Sequence, residues 1–211
     1  MGETTGEMTG EMTGTKQTSS LPLHSPAAGA HGPAVPAMPR TIVLIGLMGA
    51  GKTSIGRRLA TRLGLPFRDA DHEIEAAAGC TIQEFFERYG EDEFRAGERR
   101  VIARLLTEEP VHVLATGGGA YMDPRIREMI RRHAISVWLR AGLDLLVERT
   151  GRRNNRPLLQ RGDPRRILAR LIDVRYPVYA RADLTVDSDD SPLDEAADRV
   201  LQALKQYFAA R

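Results

Sequence analysis

At 211 residues the chain is long enough for about one domain, and its 42% apolar and 27% charged residues are typical of a globular protein. Its 30 basic and 28 acidic residues leave a net charge of +2, which gives no reason to expect a nucleic-acid partner, and its short apolar runs exclude a transmembrane helix and a membrane partner. The single cysteine, Cys80, excludes an internal disulfide framework and fits a reducing compartment, so we expect a cytoplasmic protein.

Residues 1–40 differ in composition from the rest of the chain. They begin with a four-residue pattern whose glycines stand at positions 2, 6, 10 and 14, and continue as a stretch rich in Ser, Pro, Ala and Gly. Such a segment buries too little apolar surface to offset its chain entropy, so we predict that it is disordered. Its glutamates and its lack of an apolar core argue against a targeting peptide. It is either an uncommitted extension before a working start at Met38 or a tail that binds a partner.

From residue 41 onward, predicted strands alternate with predicted helices. The strands are expected over residues 41–45, 66–69, 111–115, 134–139 and 184–186. The helices are expected over residues 52–63, over 71–109 with breaks near Gly79 and Gly90, and over 124–132, 143–150, 163–180 and 193–208. This alternation predicts an α/β domain over residues 41–211, with a central five-stranded parallel sheet between two layers of helices. The ligand of such a fold lies at the carboxyl ends of the strands.

The most specific motif is a phosphate-binding loop. Residues 46–53 read GLMGAGKT, which matches G-x-x-x-x-G-K-[ST] in full, after a buried strand and before a helix. A glycine-rich backbone brings N–H groups close to phosphate oxygens, and the helix N-terminus adds about half a positive charge. Lys52 adds a full charge near the β and γ phosphates, and the Thr53 hydroxyl suits Mg²⁺. We therefore predict that the chain binds a nucleoside triphosphate with Mg²⁺.

Acidic residues and glycines follow the next two predicted strands. Asp69 and Asp71 lie two apart at a strand end, and residues two apart on an extended chain share a face. One of them would serve a metal through water and the other a substrate hydroxyl. The alternative is a helix N-cap, which Asp71 fits. Gly117, Gly118 and Gly119 would let a ligand approach the backbone, or they form only a flexible turn.

Arginines dominate the later part of the chain. Seven of them, with one acid, stand between Arg149 and Arg166, in a segment whose glycine and asparagines favour mobility. We predict a mobile lid over about residues 150–163 that brings cations to the transferring phosphoryl group, although exposed arginine runs are usually only solvated. Arg175 falls on the helix predicted over 163–180. It is either a functional residue or an ordinary surface arginine.

The combination of motifs resembles the shikimate kinases, P-loop enzymes similar to nucleoside-monophosphate kinases. The resemblance covers residues 41–208. Besides the phosphate loop it rests on DAD (69–71), EFRAGE (93–98), TGGG (116–119), NRPLL (155–159) and RYPVY (175–179). It implies ATP-dependent phosphorylation of shikimate to shikimate 3-phosphate, a step toward chorismate and the aromatic amino acids. It also implies Mg²⁺ as cofactor, ATP and shikimate as partners, and a monomer.

The resemblance further implies which residues bind shikimate, in a region over about residues 70–100 and beyond. Asp71 would hold the hydroxyl groups and receive the proton of the attacking one. Arg95 and Arg175 would bind the carboxylate, and Gly118 would contribute a backbone contact. The remaining substrate-binding positions are Gly117, Gly119, Phe86 and Phe94.

On the nucleotide side, the resemblance gives catalytic roles to Lys52 and Arg156, beside Asp71. Arg156 would approach the phosphates from the lid, and Arg149 would lie near the adenine. The ATP-binding positions are Gly49, Ala50, Gly51, Lys52, Thr53, Ser54, Arg149 and Arg156. Some family members carry an arginine near the adenine after the last strand, but residues 187–192 contain none.

The metal site implied by the resemblance uses Thr53 directly and Asp69 through water. The third predicted strand ends in Ala115-Thr116 and offers no Walker-B aspartate. Two other functions stay open. A kinase such as gluconate kinase would share the phosphate loop and lid but would have less need of Arg95 and Arg175 together. A nucleotide-binding regulator would bind ATP without releasing ADP in response to shikimate.

Overall fold

The structure, a computed structural model, describes residues 2, 38–151 and 162–210. Most of the tail predicted over residues 1–40 therefore lies outside the described residues. The same holds for most of the lid predicted over 150–163, for Arg156 and for the NRPLL motif.

Within the described residues, five strands form one parallel sheet. They are β1 Thr41–Ile45, β2 Phe67–Asp69, β3 Val113–Ala115, β4 Ala134–Ala141 and β5 Leu184–Ser188. Their order across the sheet is β2-β3-β1-β4-β5, and every neighbouring pair is parallel. The predicted five-stranded parallel sheet of an α/β fold is confirmed.

Seven α-helices in the described ranges connect or follow these strands. They are α1 Lys52–Leu63, α2 Ala70–Ala78, α3 Ile82–Thr107, α4 Pro124–His133, α5 Leu143–Gly151, α6 Pro164–Tyr179 and α7 Leu193–Ala209. Because parallel crossovers are right-handed, the opposite directions of the β1–β2 and β3–β4 connections put α1 and α4 on opposite faces of the sheet. α1 packs against α7, and α3 packs against α4. Each helix in these ranges is too short or too polar to cross a bilayer.

The helical region predicted over residues 71–109 is broken at the two glycines. Gly79 ends α2 with a φ of 67°, and Gly90 interrupts α3 with a φ of 80° and a ψ of 179°. Between the breaks, Thr81 and Glu84 form a capping box, in which each side chain accepts a hydrogen bond from the other's backbone N–H. α3 therefore has its own start signal, and Glu75 of α2 adds to it by accepting a hydrogen bond from the Ile82 N–H at 3.0 Å.

The core lies on both faces of the sheet. Residues 42–44 of β1 have no exposed surface. Ile55 and Leu59 of α1 and Ile126 and Ile130 of α4 are also buried, and they cover the sheet from its two sides. Burial of each such side chain stabilises the fold by about 1.5–3 kcal/mol.

β1 is the strand at which the chain changes direction across the sheet. From β1 the chain passes to β2 and β3 on one side and afterwards to β4 and β5 on the other. Ligands of open α/β sheets bind in the crevice beside the carboxyl ends of the strands at such a point. Residues 46–51 follow β1 there, residues 116–119 follow β3, and Asp69 ends β2.

Candidate active site

The phosphate-binding loop occupies residues 46–51, between β1 and α1. Gly51 precedes α1 with a φ of 90°. Gly46 has a φ of 146°, and a Cβ atom there would lie 2.7 Å from the backbone oxygen of Leu139. Only glycine combines this backbone conformation with so close an approach. The first N–H groups of a helix have no acceptor within it, so the start of α1 is suited to bind an anion.

A cavity of about 600 Å³ opens at this edge of the sheet. It brings together most of the predicted site residues: Gly49, Gly51, Lys52, Thr53, Ser54, Asp69, Asp71, Phe86, Phe94, Arg95, Gly117, Gly118, Gly119, Arg149 and Arg175. Ala50 does not line it and is buried in the core. Further lining residues are Met48, Ile82, Glu98, Thr116, Ser191 and Leu193.

Lys52 and Thr53 begin α1 beside the cavity. The Lys52 ammonium donates hydrogen bonds to the carbonyl oxygens of Gly46 at 2.8 Å and Leu47 at 3.0 Å, so its charge lies at the phosphate loop. The Thr53 hydroxyl donates to the carboxylate of Asp69 at 2.8 Å. Hydroxyl and carboxylate oxygens are ligands that suit Mg²⁺. The part of the chain that the structure describes holds no group of three or more His, Cys, Asp or Glu side chains placed to bind a metal.

The N-cap of α2 is Asp69, and the alternative assignment of this cap to Asp71 is wrong. The Asp69 carboxylate accepts a hydrogen bond from the backbone N–H of Asp71 at 3.2 Å. Because α2 begins at Ala70, Asp71 lies in the first helical turn, and the expectation that both acids share one face of an extended chain is also wrong. A Cβ atom on Gly117 would lie only 2.8 Å from Asp71 Oδ1. Asp71 therefore faces the glycine loop.

Arg95 is held by a buried carboxylate, that of Glu98, which the motifs alone do not assign to the site. Its Nη1 lies 2.7 Å from Glu98 Oε2, and the Glu98 side chain is 2% exposed. A second carboxylate, that of Glu91, lies 3.2 Å away but is exposed. Burial raises the pKa of Glu98, the ion pair with Arg95 opposes the rise, and the nearby Asp71 carboxylate adds to it. The i,i+3 spacing in EFRAGE was the sequence signal for this pair.

Two aromatic rings of α3 form an apolar wall of the cavity. Phe86 and Phe94 stack with their centroids 4.4 Å apart, across the break at Gly90. The Arg95 guanidinium lies over the Phe94 ring at 5.2 Å from its centroid. This contact covers one face of the guanidinium group and so restrains the arginine side chain.

Arg175 reaches the glycine loop from α6. Its Nη1 donates a hydrogen bond to the Gly118 carbonyl oxygen at 2.9 Å. The hydroxyl of Tyr179, one turn further along α6, donates to the same oxygen. Tyr179 belongs to the RYPVY motif, but the motif alone does not predict this contact.

The three glycines after β3 each face a different functional side chain. Cβ atoms on them would lie 2.8 Å from Asp71 Oδ1 at Gly117, 3.2 Å from Arg175 Nη1 at Gly118 and 2.8 Å from Arg95 Nη1 at Gly119. One carboxylate and two guanidinium groups therefore surround a single loop of three residues.

The opposite end of the cavity is formed by α5 and by the β5–α7 loop, residues 189–192. Arg149 donates hydrogen bonds to the Ser188 hydroxyl at 3.1 Å and to the Asp189 carbonyl at 2.5 Å. Arg199 of α7 donates to the Asp189 carboxylate at 2.7 Å and to the Ser191 hydroxyl at 2.9 Å. Although this loop contains no arginine, two arginines from neighbouring helices hold it.

The order of the strands gives the cavity a direction. The side chains around the glycine loop gather at the carboxyl ends of β2 and β3, the phosphate loop follows β1, and the β5–α7 loop stands at the far edge. A triphosphate on the central loop would therefore have a carboxylate and two guanidinium groups at one end and the β5–α7 loop at the other.

Comparisons with known proteins show which family this chain is similar to. The shikimate kinase family model matches residues 48–205. The shikimate kinase of Paramagnetospirillum magneticum is 58% identical over 169 residues, which are 80% of this chain and 86% of that protein. The shikimate kinase of Caulobacter vibrioides is 55% identical over 174 residues, which are 82% of this chain and 86% of that protein.

Solved structures separate the family from the wider fold. Shikimate kinase from Acinetobacter baumannii in complex with shikimate superposes with a TM-score of 0.75 and 40% identity, covering 79% of this chain and 93% of that chain. A gluconokinase from Sinorhizobium meliloti reaches a TM-score of 0.53 at 22% identity, over 82% of this chain and 98% of its own, and shares the fold alone. The chain belongs to the shikimate kinase family.

Proposed function

We propose that this protein transfers the γ-phosphoryl group of ATP to a hydroxyl of shikimate, with ADP and shikimate 3-phosphate as products. The observation that carries the proposal is the glycine loop after β3, where Asp71, Arg95 and Arg175 converge next to the phosphate loop. A carboxylate acceptor and two cations are the groups that a hydroxylated acid requires from its kinase.

The acceptor substrate is bound through its two kinds of polar group. Arg95 and Arg175 bind the carboxylate, because guanidinium groups pair with carboxylates bidentately where lysine does not. Asp71 accepts a hydrogen bond from the attacking hydroxyl, orients it toward the γ-phosphorus and takes its proton. Phe86 and Phe94 pack against the ring, and Gly117, Gly118 and Gly119 let it approach the backbone.

The donor substrate lies on the phosphate loop, with Gly49–Ser54 around its phosphates. Lys52 and the N-terminus of α1 hold the β and γ phosphates, and Arg149 lies toward the adenine. Thr53 directly, and Asp69 through water, would hold Mg²⁺, which neutralises charge on the phosphates when it is bound. Arg156, which lies outside the described residues, adds a cation from the lid. Positioning and electrostatic stabilisation supply most of the rate enhancement.

We extend the proposal to the organisation of the chain. Residues 41–211 are the kinase domain, with a substrate-binding region over about 70–100 and a lid over about 150–163, and residues 1–40 stand outside it. The enzyme acts in the cytoplasm as a monomer. In support, the described cavity takes its carboxylate, both guanidinium groups and its phosphate loop from one chain.

An assay of ADP release with shikimate tests the proposal. The wild type should release ADP with shikimate and far less with gluconate. Arg95→Ala, Arg175→Ala and Asp71→Asn should each lower kcat/KM by about 10²-fold or more, by comparison with arginine fingers that contribute about 10³–10⁵. Preferred turnover of gluconate, or ATP binding without shikimate-dependent ADP release, would contradict the proposal.

A further inference from the structure

The carbonyl oxygen of Gly118 accepts hydrogen bonds from two side chains of the same helix. Arg175 Nη1 donates at 2.9 Å, and the Tyr179 hydroxyl is the second donor. Tyr179 has no exposed surface, and its ring packs against Tyr121 and Trp138 with centroids 6.3 Å and 6.1 Å away. These contacts restrict the orientation of the ring, so its hydroxyl group has one position.

Of the three glycine carbonyls, that of Gly118 is the one held by side chains of another helix. The carbonyls of Gly117 and Gly119 accept backbone hydrogen bonds from Ala120 and Met122, at 3.1 Å and 3.0 Å. Because glycine has more backbone freedom than any other residue, the peptide unit after Gly118 depends most on outside contacts for its direction. A carbonyl oxygen has two lone pairs, and here both have a donor. Because the peptide unit is planar and trans, holding the Gly118 carbonyl also fixes the direction of the Gly119 N–H.

The phenol is suited to this role because it keeps its proton. Burial raises the pKa of Tyr179 to about 12, although the charge of Arg175 lowers it. The hydroxyl therefore remains a donor at any physiological pH. Arg175 shares this oxygen and lines the cavity, so a fixed Tyr179 hydroxyl limits the positions that the guanidinium group can take there.

We propose that Tyr179 is a positioning residue for the acceptor substrate, holding the Gly118 carbonyl so that the glycine loop and Arg175 keep one arrangement around an anionic, hydroxylated ligand. Tyr179 does not line the cavity and acts only through Gly118 and Arg175. The inference rests on the proposed function of the cavity.

Tyr176 provides a matched control. It lies one turn earlier on α6, and its hydroxyl also donates to a backbone carbonyl, that of Ala141 at the end of β4. Neither Tyr176 nor Ala141 lines the cavity. Tyr179→Phe and Tyr176→Phe each remove one oxygen atom and keep the ring, so both should fold and show similar, small falls in melting temperature.

Steady-state kinetics then separate the two hydroxyl groups. Tyr179→Phe should raise the KM for shikimate by about 2- to 10-fold, the range that corresponds to one hydrogen bond, with kcat and the KM for ATP within about 2-fold of wild type. Tyr176→Phe should leave all three parameters within about 2-fold. An unchanged KM for shikimate in Tyr179→Phe, or an equal rise in both variants, would overturn the inference.

A second measurement tests the route of the effect. If Tyr179 acts through Arg175 and the oxygen that they share, the change in the KM for shikimate on Tyr179→Phe should be smaller in an Arg175→Lys background, whereas additive changes would count against it. Wild-type ADP release with shikimate is measured first. Its absence would refute the proposed function, whereas a normal wild type with an insensitive Tyr179→Phe would refute only the role of Tyr179.

Discussion

A carboxylate oxygen of Glu98 lies 2.7 Å from a guanidinium nitrogen of Arg95, one helical turn earlier on α3, and the carboxylate is almost completely buried. A buried charge whose partner is removed is left uncompensated, so each member of such a pair depends on the other. This dependence bears on the site, because both terminal nitrogens of the Arg95 guanidinium lie against Gly119, each 2.8 Å from a Cβ atom added there. Glu98 therefore determines where one cation stands in the cavity.

Acid should weaken shikimate binding through Glu98. Because burial raises the pKa of Glu98 above the ordinary 4.5, this carboxyl takes up its proton at a higher pH than an exposed glutamate. The protonated form loses the charge-assisted bond to Arg95, so the KM for shikimate should rise as the pH falls toward that pKa. In Glu98→Gln, which is neutral throughout, the KM should already be high at about pH 7 and should lack this part of the acid dependence.

The pH series needs a control on the same arginine. Glu91→Gln removes the exposed partner of Arg95, at 3.2 Å, and should change the KM for shikimate by less than about 2-fold, because exposed ion pairs contribute little. The KM for shikimate is measured from about pH 5 to about pH 8 in wild type and both variants. An acid rise of the same size in Glu98→Gln as in wild type would show that another group causes it.

Methyl groups added to the glycine loop should damage binding more than folding. A Cβ atom on Gly117 or Gly119 would meet the ends of Asp71 or Arg95 at 2.8 Å, and flexible side-chain ends move aside where backbone would not. Gly117→Ala and Gly119→Ala should therefore melt within a few degrees of wild type. Because a misplacement of about 1 Å can cost about 10²-fold in rate, their kcat/KM for shikimate should fall by about 10-fold or more.

Gly97→Ala is the control for the glycine variants. Gly97 lies on α3 between Arg95 and Glu98, and the nearest atom to an added Cβ there is 4.0 Å away, on Arg100. Alanine inside a helix is more stable than glycine by about 0.5–1 kcal/mol, so this variant should melt slightly higher and keep wild-type kinetics. Equal losses of activity in all three variants would contradict the assignment of the loop to substrate binding.

Local signals in the sequence were sufficient for the elements and for the phosphate loop. The alternation of apolar strands and helices predicted the sheet, and Gly79 and Gly90 predicted the two breaks because each ends or interrupts a helix. The strand limits shifted by one or two residues: β4 extends to Ala141 and β5 to Ser188, since both continue their pairing there. The short 3₁₀ helix over Ala120–Met122 had no such signal.

What the sequence could not predict depends on contacts between distant segments. Whether Asp69 or Asp71 caps α2 is decided by where β2 stops, and both residue types fit the position. Tyr179 meets Gly118, 61 residues away in the chain, because α6 packs against the segment that follows β3. Arg199 likewise reaches the β5–α7 loop from inside α7, so the residues of the loop itself give no sign of this contact.

Arg199 should matter for the nucleotide and not for the acceptor. It donates to the Asp189 carboxylate and the Ser191 hydroxyl, and Ser191 lines the end of the cavity that also holds Arg149. Without these bonds the β5–α7 loop has fewer restraints, so Arg199→Ala should raise the KM for ATP by about 3- to 10-fold and leave the KM for shikimate within about 2-fold.

The control for Arg199 is an arginine of α1 that forms ion pairs with α7, the helix that carries Arg199. Arg62 of α1 pairs with Asp194 at 3.0 Å and Asp198 at 2.8 Å on α7, and both carboxylates are exposed. Arg62→Ala should leave the KM for ATP within about 2-fold, since surface pairs contribute about 0–1 kcal/mol. If Arg62→Ala and Arg199→Ala raise that KM equally, packing of α7 is responsible and the loop contacts are not.

Removal of the tail should leave the kinase intact, whereas a slightly longer deletion should not. Met38 is 7% exposed within the core, and Thr41 begins β1, where it pairs with Ala134 of β4. A chain that starts at Met38 keeps both residues and should match the full chain in melting temperature, kcat and both KM values within about 2-fold.

Deleting residues 1–42 removes Met38 and the first two residues of β1. This deletion should lower the melting temperature by several degrees, because buried side chains and sheet hydrogen bonds are lost. Lower activity in the chain that starts at Met38, at an unchanged melting temperature, would instead assign residues 1–37 a part in catalysis.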